Sequence, residues 1–321
     1  MAANHTPRAV CLPMLKGGFG KSTFASILGG ILGDFRDHDV LVVDLDPAGH
    51  LSTGLGYYTR ENESATDLSD VLLGDATLDA IVKNPGHGFD FVPSLNLDDV
   101  TDELSKDSVL ASDLKVKQEL VDKHLGEQYD YMLFDVPGTR NKLTNNAVVA
   151  APNAILPLMP APEALNGLRE TATRLVAPIR AQLPGEFEIL ATVPNDLSAR
   201  IDHQTKDRKL LEAMNTQESF ASYLLAGRDG VDAQRGTLSD DYDLETVLDN
   251  HIPPFARIRP DEWDAIDAGE IDPPKPPIRH TGAVGDAYEN RQPLTAYDPE
   301  NPQLEYFGQI ADIIERGGID Q

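Results

Sequence analysis

The most informative segment of the chain is LKGGFGKST, at residues 15–23. It lies between an apolar run, Ala9–Met14, that predicts a strand and a longer pattern, Lys21–Leu32, that predicts a helix. Glycines at this junction let the backbone curl, so that successive N–H groups point inward and bind phosphate oxygens. The positive end of the helix adds to the same attraction. The segment therefore predicts a phosphate-binding loop.

Three side chains that close this loop have expected tasks. Lys21 is expected to reach the β- and γ-phosphates of a nucleotide, and the Ser22 hydroxyl to ligate Mg²⁺. Thr23 stands where it can meet the α-phosphate. A plain glycine-rich turn is the alternative, and the strand–loop–helix context disfavours it.

The rest of the chain alternates short apolar runs with longer helical patterns. This alternation predicts an α/β fold with a mostly parallel, doubly wound sheet covered by helices on both faces. The predicted strands are Ala9–Met14, Val40–Asp44, Phe89–Val92, Tyr131–Asp135, Ala154–Leu158, Glu188–Val193 and Thr246–Ile252. The predicted helices are Lys21–Leu32, Asp113–His124, Asn141–Ala150, Glu163–Gln182, Gln204–Met214 and Gln303–Arg316.

No linker interrupts this pattern, so residues 1–321 are predicted to form a single domain with surface insertions at 216–250 and 261–280. The second insertion holds the only tryptophan, Trp263, and the run PPKPP at 273–277, which is expected to lie extended on the surface. The insertions are either partner-docking elements or surface elaborations in which Trp263 packs onto the body.

The charge balance of the chain is strongly acidic. Lys and Arg number 27 against 53 Asp and Glu, for a net charge of −26, and only 11 of the 27 basic residues are Lys. This balance argues against a broadly basic surface for nucleic acid, but not against a local basic patch. It favours a cytoplasm at molar salt, as in an extreme halophile, where self-repulsion is screened. An ordinary acidic protein kept soluble by its charge is the alternative.

Several classes of protein are excluded by simple counts. The single cysteine, Cys11, rules out a disulfide framework, an all-cysteine zinc site and a cysteine-held iron–sulfur cluster within one chain. No apolar stretch approaches the ~20 residues that a membrane-spanning helix needs. The segment MAANHTPRAV at residues 1–10 has no signal-peptide pattern, so a cytoplasmic protein is expected.

The phosphate loop departs from the standard Walker pattern. Leu15 replaces the leading glycine, and a second lysine, Lys16, precedes the glycine pair. This form resembles the deviant Walker A loop of the ParA/MinD superfamily of dimeric ATPases, which implies a P-loop NTPase fold with ATP and Mg²⁺. It also implies that Lys16 reaches the partner's ATP across a dimer interface, much as an arginine finger does. The implied nucleotide contacts from the loop are Lys16, Gly17, Gly18, Phe19, Gly20, Lys21, Ser22 and Thr23.

A second motif, VVDLDPAGHLSTGLG at residues 42–56, resembles the D-x-D-P-Q-G-N-x-[ST] switch segment of ParA proteins. By this resemblance, Asp46 positions or deprotonates the attacking water, and Asp44 helps to hold the magnesium shell. Ala48 and His50 stand where the family has Gln and Asn, which affects the timing of the switch more than its chemistry.

A third motif, FDVPG at residues 134–138, resembles the Walker B segment, with Gly138 in place of the second proline. Asp135 is then the carboxylate that accepts hydrogen bonds from magnesium-bound water. The implied metal-binding residues are Ser22, Asp44 and Asp135. The implied catalytic residues are Lys16, Lys21 and Asp46.

Two later segments resemble the parts of ParA proteins that surround the base. ATVPND at residues 191–196 places Asn195 to offer a donor and an acceptor to adenine. IPPFAR at residues 252–257 resembles the family's I-P-R-N-x-R segment, which implies that Pro253 and Pro254 flank the base. A small basic patch is expected to contact DNA through Arg200, Arg257 and Arg259.

The resemblance is closest to the short ParA/Soj type and implies a DNA-partitioning ATPase. Such a protein forms an ATP sandwich dimer, binds DNA without sequence preference and is stimulated by a ParB-like partner, in the cytoplasm at the nucleoid. One alternative is a ParA-like ATPase that positions a protein cargo. Another is a MinD-like division-site regulator, which the acidic segment 301–321 disfavours because membrane association there needs a basic helix.

Overall fold

The computed structural model describes residues 6–57, 66–95, 97–104, 106, 112–183, 187–199, 201 and 205–319. At its centre is a six-stranded sheet of order β3-β2-β4-β1-β5-β6, in which every neighbouring pair is parallel. The strands are β1 (Arg8–Leu12), β2 (Val40–Asp44), β3 (Asp90–Val92), β4 (Tyr131–Asp135), β5 (Asn153–Leu158) and β6 (Glu188–Pro194). A separate two-stranded hairpin joins β7 (Val231–Asp232) to β8 (Thr237–Leu238).

The sheet is covered on both faces, and its strands are mostly apolar. Successive side chains of a strand point to opposite faces. In β1, Ala9 and Cys11 join one hydrophobic cluster, whereas Val10 and Leu12 join the other. Every residue of β1, β2 and β4 is buried, as in parallel sheets packed between two helical layers. The predicted doubly wound α/β fold is confirmed.

Helices α1, α2, α14 and α15 pack on one face, and α3, α4 and α6–α11 contribute to the other. The first helices are α1 (Lys21–Gly30), α2 (His50–Gly54), α3 (Leu68–Leu73), α4 (Leu97–Leu104), α5 (Asp122–His124), α6 (Lys142–Ala150), α7 (Ala164–Thr171) and α8 (Ala177–Gln182). The others are α9 (Lys206–Thr216), α10 (Glu218–Leu224), α11 (Leu244–His251), α12 (Pro260–Asp267), α13 (Gly282–Glu289), α14 (Leu294–Tyr297) and α15 (Leu304–Arg316). Short π-helical turns extend the helices at Ile31–Phe35, Lys117–Val121 and Ala172–Val176, and 3₁₀ turns lie at Leu78–Ala80 and Pro254–Ala256. Within the described ranges, no helix is both long and apolar enough to span a lipid bilayer.

Helix α15 closes the fold over its first elements. The ring of Phe307 in α15 meets Phe24 of α1 edge to face, with centroids 4.9 Å apart. Arg8 of β1 donates from Nη1 to the carbonyl oxygens of Ile314 and Glu315, at 3.2 and 2.8 Å. Both contacts join elements that flank the phosphate loop to a helix near residue 310, so the loop is supported from a distant part of the chain.

The predicted strand at Thr246–Ile252 is wrong, because these residues belong to helix α11. Asp243 caps the helix by accepting a hydrogen bond from the Thr246 N–H at 2.9 Å. Val247, Leu248 and His251 are buried, which is helical rather than alternating spacing. A short apolar run does not by itself distinguish a strand from a buried helix face.

The segment predicted as the second insertion packs closely onto the body. Trp263 of α12 is 5% exposed and lies in a small apolar cluster with Ile201, Leu211, Ile258 and Ile266. The guanidinium of Arg208 lies 4.8 Å from the centre of its ring. Residues 273–277 form neither helix nor strand, as predicted, but Pro276 and Pro277 are buried rather than on the surface. The bounds of both insertions stay predictions.

Candidate nucleotide-binding site

The phosphate loop connects β1 to α1 at the carboxyl edge of the sheet. Gly18 and Gly20 adopt φ angles of +79° and +89°, a left-handed conformation that other residues rarely take. Gly20 is also closed in by a neighbour, because a Cβ there would lie 3.0 Å from Oδ1 of Asn195. Gly20 caps α1 without a side-chain hydrogen bond, so the positive end of the helix faces the loop.

The two lysines of the loop have different surroundings. Lys21 is 6% exposed, and its Nζ donates to the carbonyl oxygen of Lys16 at 3.3 Å, so its ammonium group lies across the curl of the loop. Lys16 is exposed, and its Cβ lies near Gly167 of α7, where an added Cβ would be 3.4 Å away. Lys21 is therefore placed for a ligand in its own loop, whereas Lys16 is not among the described residues that line the cavity described below.

Asp44, at the end of β2, anchors the segment that follows it. Its Oδ2 accepts hydrogen bonds from the N–H and the hydroxyl of Ser52 at 2.9 and 2.6 Å, and its Oδ1 accepts one from the Asp46 N–H at 3.1 Å. Burial, together with the charge of Asp135, raises the pKa of Asp44 well above its usual range. Asp44 thus holds the start of α2 against the sheet edge, and its predicted role in the magnesium shell stays a prediction.

Asp135, at the end of β4, is buried, and its carboxylate has a different environment from that of Asp44. Neither of its carboxylate oxygens makes a hydrogen bond within the described part of the chain. Burial raises the pKa of Asp135 to about 6, against the opposing influence of the Lys21 ammonium and the Ser22 hydroxyl beside it. Gly138 brings the following turn onto the loop, since a Cβ there would lie 3.0 Å from the Gly17 nitrogen. A buried carboxylate without a hydrogen bond of good geometry among the described residues therefore lies next to the phosphate-binding loop, beside Lys21 and Ser22.

Asp135 and Ser22 suit a Mg²⁺ ion that is coordinated partly by water and phosphate, rather than a metal ion that is coordinated by protein side chains alone. Magnesium prefers hard oxygen ligands, and it is usually bound by one or two carboxylates together with water and phosphate oxygens. Asp135 supplies two unpaired oxygens next to the Ser22 hydroxyl. Among the described residues, no group of three or more His, Cys, Asp or Glu side chains could hold a metal by itself. The donor set therefore suits a magnesium ion that arrives with a phosphate ligand.

Asp46 and His50 follow on the turn between β2 and α2. Asp46 accepts a hydrogen bond from the Ala48 N–H at its Oδ1, at 3.0 Å, and its carbonyl oxygen accepts one from the Ser94 hydroxyl at 2.6 Å. Asp46 and His50 both line the cavity that contains the loop. The Asp46 carboxylate raises the pKa of Asp135 and the His50 side chain lowers it, so the three groups share one electrostatic environment.

The cavity has a volume of about 760 Å³, within the range of small-molecule and cofactor sites. One wall is the phosphate loop with Asp46 and His50. Another part of its wall comes from a segment that the motifs did not identify: Ile278, Arg279, His280, Thr281, Gly282, Val284, Gly285, Ala287 and Tyr288. Backbone hydrogen bonds fix this wall in place, from Leu197 N to Ile278 O at 3.1 Å and from His280 N to Leu197 O at 2.8 Å.

The residues predicted to surround the base are only partly brought together. Asn195 lines the cavity, but its Nδ2 donates to the carbonyl oxygens of Phe19 and Leu158, at 3.3 and 3.1 Å, so the amide joins the phosphate loop to the end of β5. Pro253 and Pro254 are not among the described residues that line the cavity, whereas residues 278–282 do line it. Adenine contact by Asn195 stays a prediction.

The predicted DNA-binding arginines are engaged within the chain. Arg257 donates from all three of its side-chain nitrogens, to Asp249, Asn215 and Glu245 at 2.7–2.8 Å. Arg259 pairs with the same two carboxylates but keeps half of its side chain exposed. Arg200 lies outside the described residues. A phosphate contact by Arg257 would require its present bonds to be exchanged.

Comparison with known proteins agrees with this geometry. A family model described as an AAA domain matches residues 8–189. Over 195 residues the chain is 35% identical to the chromosome partitioning protein ParA of Caulobacter vibrioides, covering 60% of this chain and 70% of that protein.

Two solved structures share the fold. Apo McdA from Cyanothece has a TM-score of 0.63 at 19% identity and covers 95% of this chain and 98% of its own. Cobyrinic acid a,c-diamide synthase from Mycobacterium smegmatis, with bound ADP and magnesium, has a TM-score of 0.57 at 25% identity and covers 64% and 80%. The chain therefore belongs to the ParA/MinD family of P-loop ATPases.

Proposed function

We propose that this protein is a Mg²⁺-dependent ATPase that hydrolyses ATP to ADP and phosphate and thereby drives the partitioning of DNA. The observation that carries the proposal is the buried carboxylate of Asp135 at the end of β4, beside Lys21 and Ser22 of the phosphate-binding loop. The 35% identity to a chromosome partitioning protein, over most of that protein's length, supports DNA as the cargo.

The residues of the cavity divide the work of hydrolysis between them. The N–H groups of the loop and the Lys21 ammonium would bind phosphate oxygens, and Ser22 and Asp135 would hold magnesium. When bound, the metal neutralises charge on those oxygens. Asp46 lines the same cavity, where it would orient the attacking water and accept its proton.

A second copy of the chain completes this site. Lys16 is exposed and is not among the described residues that line its own cavity. In the proposed ATP-bound homodimer, each Lys16 contacts the nucleotide of the other subunit and adds positive charge only when the dimer forms. The dimer then binds DNA without sequence preference, and a ParB-like protein stimulates hydrolysis and release, which makes the protein nucleoid-associated.

Phosphate release and DNA binding test the two halves of this function. Purified protein should release phosphate with ATP and Mg²⁺ and lose that activity in excess EDTA. It should also bind DNA fragments of unrelated sequence with ATP and not with ADP, with an affinity that falls linearly in log salt. Absence of phosphate release with and without a partner protein and DNA would overturn the ATPase assignment.

Positioning of a protein cargo is the second candidate, and one observation favours it. Arg257 and Arg259 are both paired with Glu245 and Asp249, which leaves the predicted DNA-binding patch largely neutralised. If the protein hydrolyses ATP but binds no DNA at any salt concentration, this second function replaces the first.

A further inference from the structure

The part of the cavity wall that contains Tyr288 contacts the switch segment closely at Gly54. Tyr288 of α13 packs its ring on Gly54, the final residue of α2. A Cβ at Gly54 would lie 2.6 Å from Cδ2 and 2.7 Å from Cε2 of that ring, closer than a methyl group can approach. The absence of a side chain at residue 54 is therefore what lets the ring rest directly on the helix backbone.

A second contact of the same kind lies two residues further on. A Cβ at Gly56 would lie 2.8 Å from Cδ of Arg291, and Gly56 itself has φ +80°. Arg291 adopts φ +58°, an unusual conformation for a residue other than glycine. Segment 282–291 thus contacts Gly54 and Gly56 at the end of α2. In the second contact, the backbone of Arg291 is in a strained conformation.

Helix α2 is also connected to Asp44 and to the turn that contains Asp46. Ser52 holds Asp44 with two hydrogen bonds, and the helix starts directly after the turn in which Asp46 accepts from Ala48. The helix has only five residues, so a displacement at Gly54 is a displacement of the whole element. Asp46 and Tyr288 both line the cavity.

We propose that Tyr288 is a positioning residue for ATP hydrolysis: its ring braces α2 and thereby holds Asp46 in the geometry that the attacking water requires. This inference rests on the ATPase function proposed above. It differs from a simple packing role because the Tyr288 residue is 45% exposed, so that little apolar surface is lost when its side chain is removed. The conformation of α2, rather than the stability of the fold, should depend on the ring.

The test compares four variants: Tyr288→Ala, Tyr288→Phe, Gly54→Ala and the double variant Gly54→Ala/Tyr288→Ala. Tyr288→Ala and Gly54→Ala should each lower kcat by about 10-fold or more, because displacement of a catalytic group by about 1 Å costs up to ~100-fold. The ATP dissociation constant should change less than about 3-fold. Tyr288→Phe should retain parental turnover, since the contacting atoms are ring carbons. The double variant should be no slower than either single one, because both changes remove the same contact.

Tyr297→Ala is the matched control. Tyr297 is 39% exposed, lies on α14 and is not among the described residues that line the cavity, so its removal should leave kcat unchanged. Parental turnover of Tyr288→Ala, or losses in the two single variants that multiply in the double one, would overturn the inference.

Amide hydrogen exchange gives a readout that does not depend on turnover. In the nucleotide-free protein, Tyr288→Ala should speed exchange of the amides at 53–56 and Tyr288→Phe should not, while exchange in the sheet is unchanged. Unchanged exchange at 53–56 in Tyr288→Ala would show that the ring is no brace. If the parent protein hydrolyses no ATP but this exchange difference is present, the proposed function fails and the brace stands.

Discussion

Asp44 and Asp135 are paired in the register of β2 and β4, yet of these two carboxylates only that of Asp44 accepts hydrogen bonds of good geometry from the described residues. Two neighbouring acids at one sheet edge are thus prepared for different tasks. Asp44 holds the switch segment through Ser52, whereas the proposed role of Asp135 is to bind magnesium together with Ser22.

Replacing each acid by its amide should therefore have opposite effects. Asp135→Asn should raise the free energy of unfolding of the nucleotide-free protein by about 1–3 kcal/mol at pH 7, because the cost of burying the charge exceeds the favourable influence of Lys21 and Ser22. Asp44→Asn should lower it by a similar amount, because its NH₂ would face the Ser52 or the Asp46 N–H donor. Urea unfolding without nucleotide measures both.

ATP should stabilise the parent protein more in the presence of Mg²⁺ than in EDTA. The Asp135→Asn variant should lose this magnesium-dependent part of the stabilisation. The melting temperature is compared with ATP and Mg²⁺ and with ATP and EDTA. An unchanged magnesium-dependent increase in Asp135→Asn would contradict the assignment of Asp135 to the metal.

Asp46→Ala should keep ATP binding and dimer formation but lose hydrolysis by about 10²–10⁴-fold. The phosphate cradle and Asp135 remain, and only the group that orients the water is removed. Phosphate release and ATP affinity are measured in parallel, and unchanged turnover would refute the role of Asp46.

Lys16→Ala and Lys21→Ala should separate dimer formation from nucleotide binding. Lys21 is buried across its own loop, so its loss should weaken ATP binding. Lys16 is exposed and outside its own cavity, so Lys16→Ala should bind ATP as a monomer. Sedimentation with a non-hydrolysable ATP analogue distinguishes them; a Lys16→Ala protein that dimerises like the parent would exclude the trans contact.

Arg257→Ala and Arg259→Ala should differ in stability. Arg257 is nearly buried and its loss leaves the Asn215 carbonyl oxygen with one donor fewer, so Arg257→Ala should cost about 1–3 kcal/mol. Arg259→Ala removes an exposed pair and should lower the free energy of unfolding less than Arg257→Ala does.

DNA binding by the same two variants tests the predicted patch. A phosphate contact by either arginine would flatten the slope of log affinity against log salt by about one. Arg259→Ala is the cleaner test because its stability should change little. A parental slope in both variants would place the DNA contacts elsewhere on the surface.

The sequence predicts those parts of the site that are local in the chain. The glycine loop, Asp44, Asp46 and Asp135 each follow an apolar strand, and parallel strands bring their carboxyl ends to one edge. The wall around His280 and Tyr288 has no such signal, because tertiary hydrogen bonds from Leu197 place it there. Thr246–Ile252 was predicted as a strand because a short apolar run has no decisive period.

Helix α15 has a consequence for folding of the chain. Arg8 and Ile314 are 306 residues apart in sequence, yet their hydrogen bond helps to hold the strand that precedes the phosphate loop. Closing so long a loop is slow relative to local contacts. The phosphate loop and both aspartate motifs precede α15 in the sequence, so they are synthesised before the helix that supports them. We therefore expect the binding site to reach its final structure only after α15 has left the ribosome.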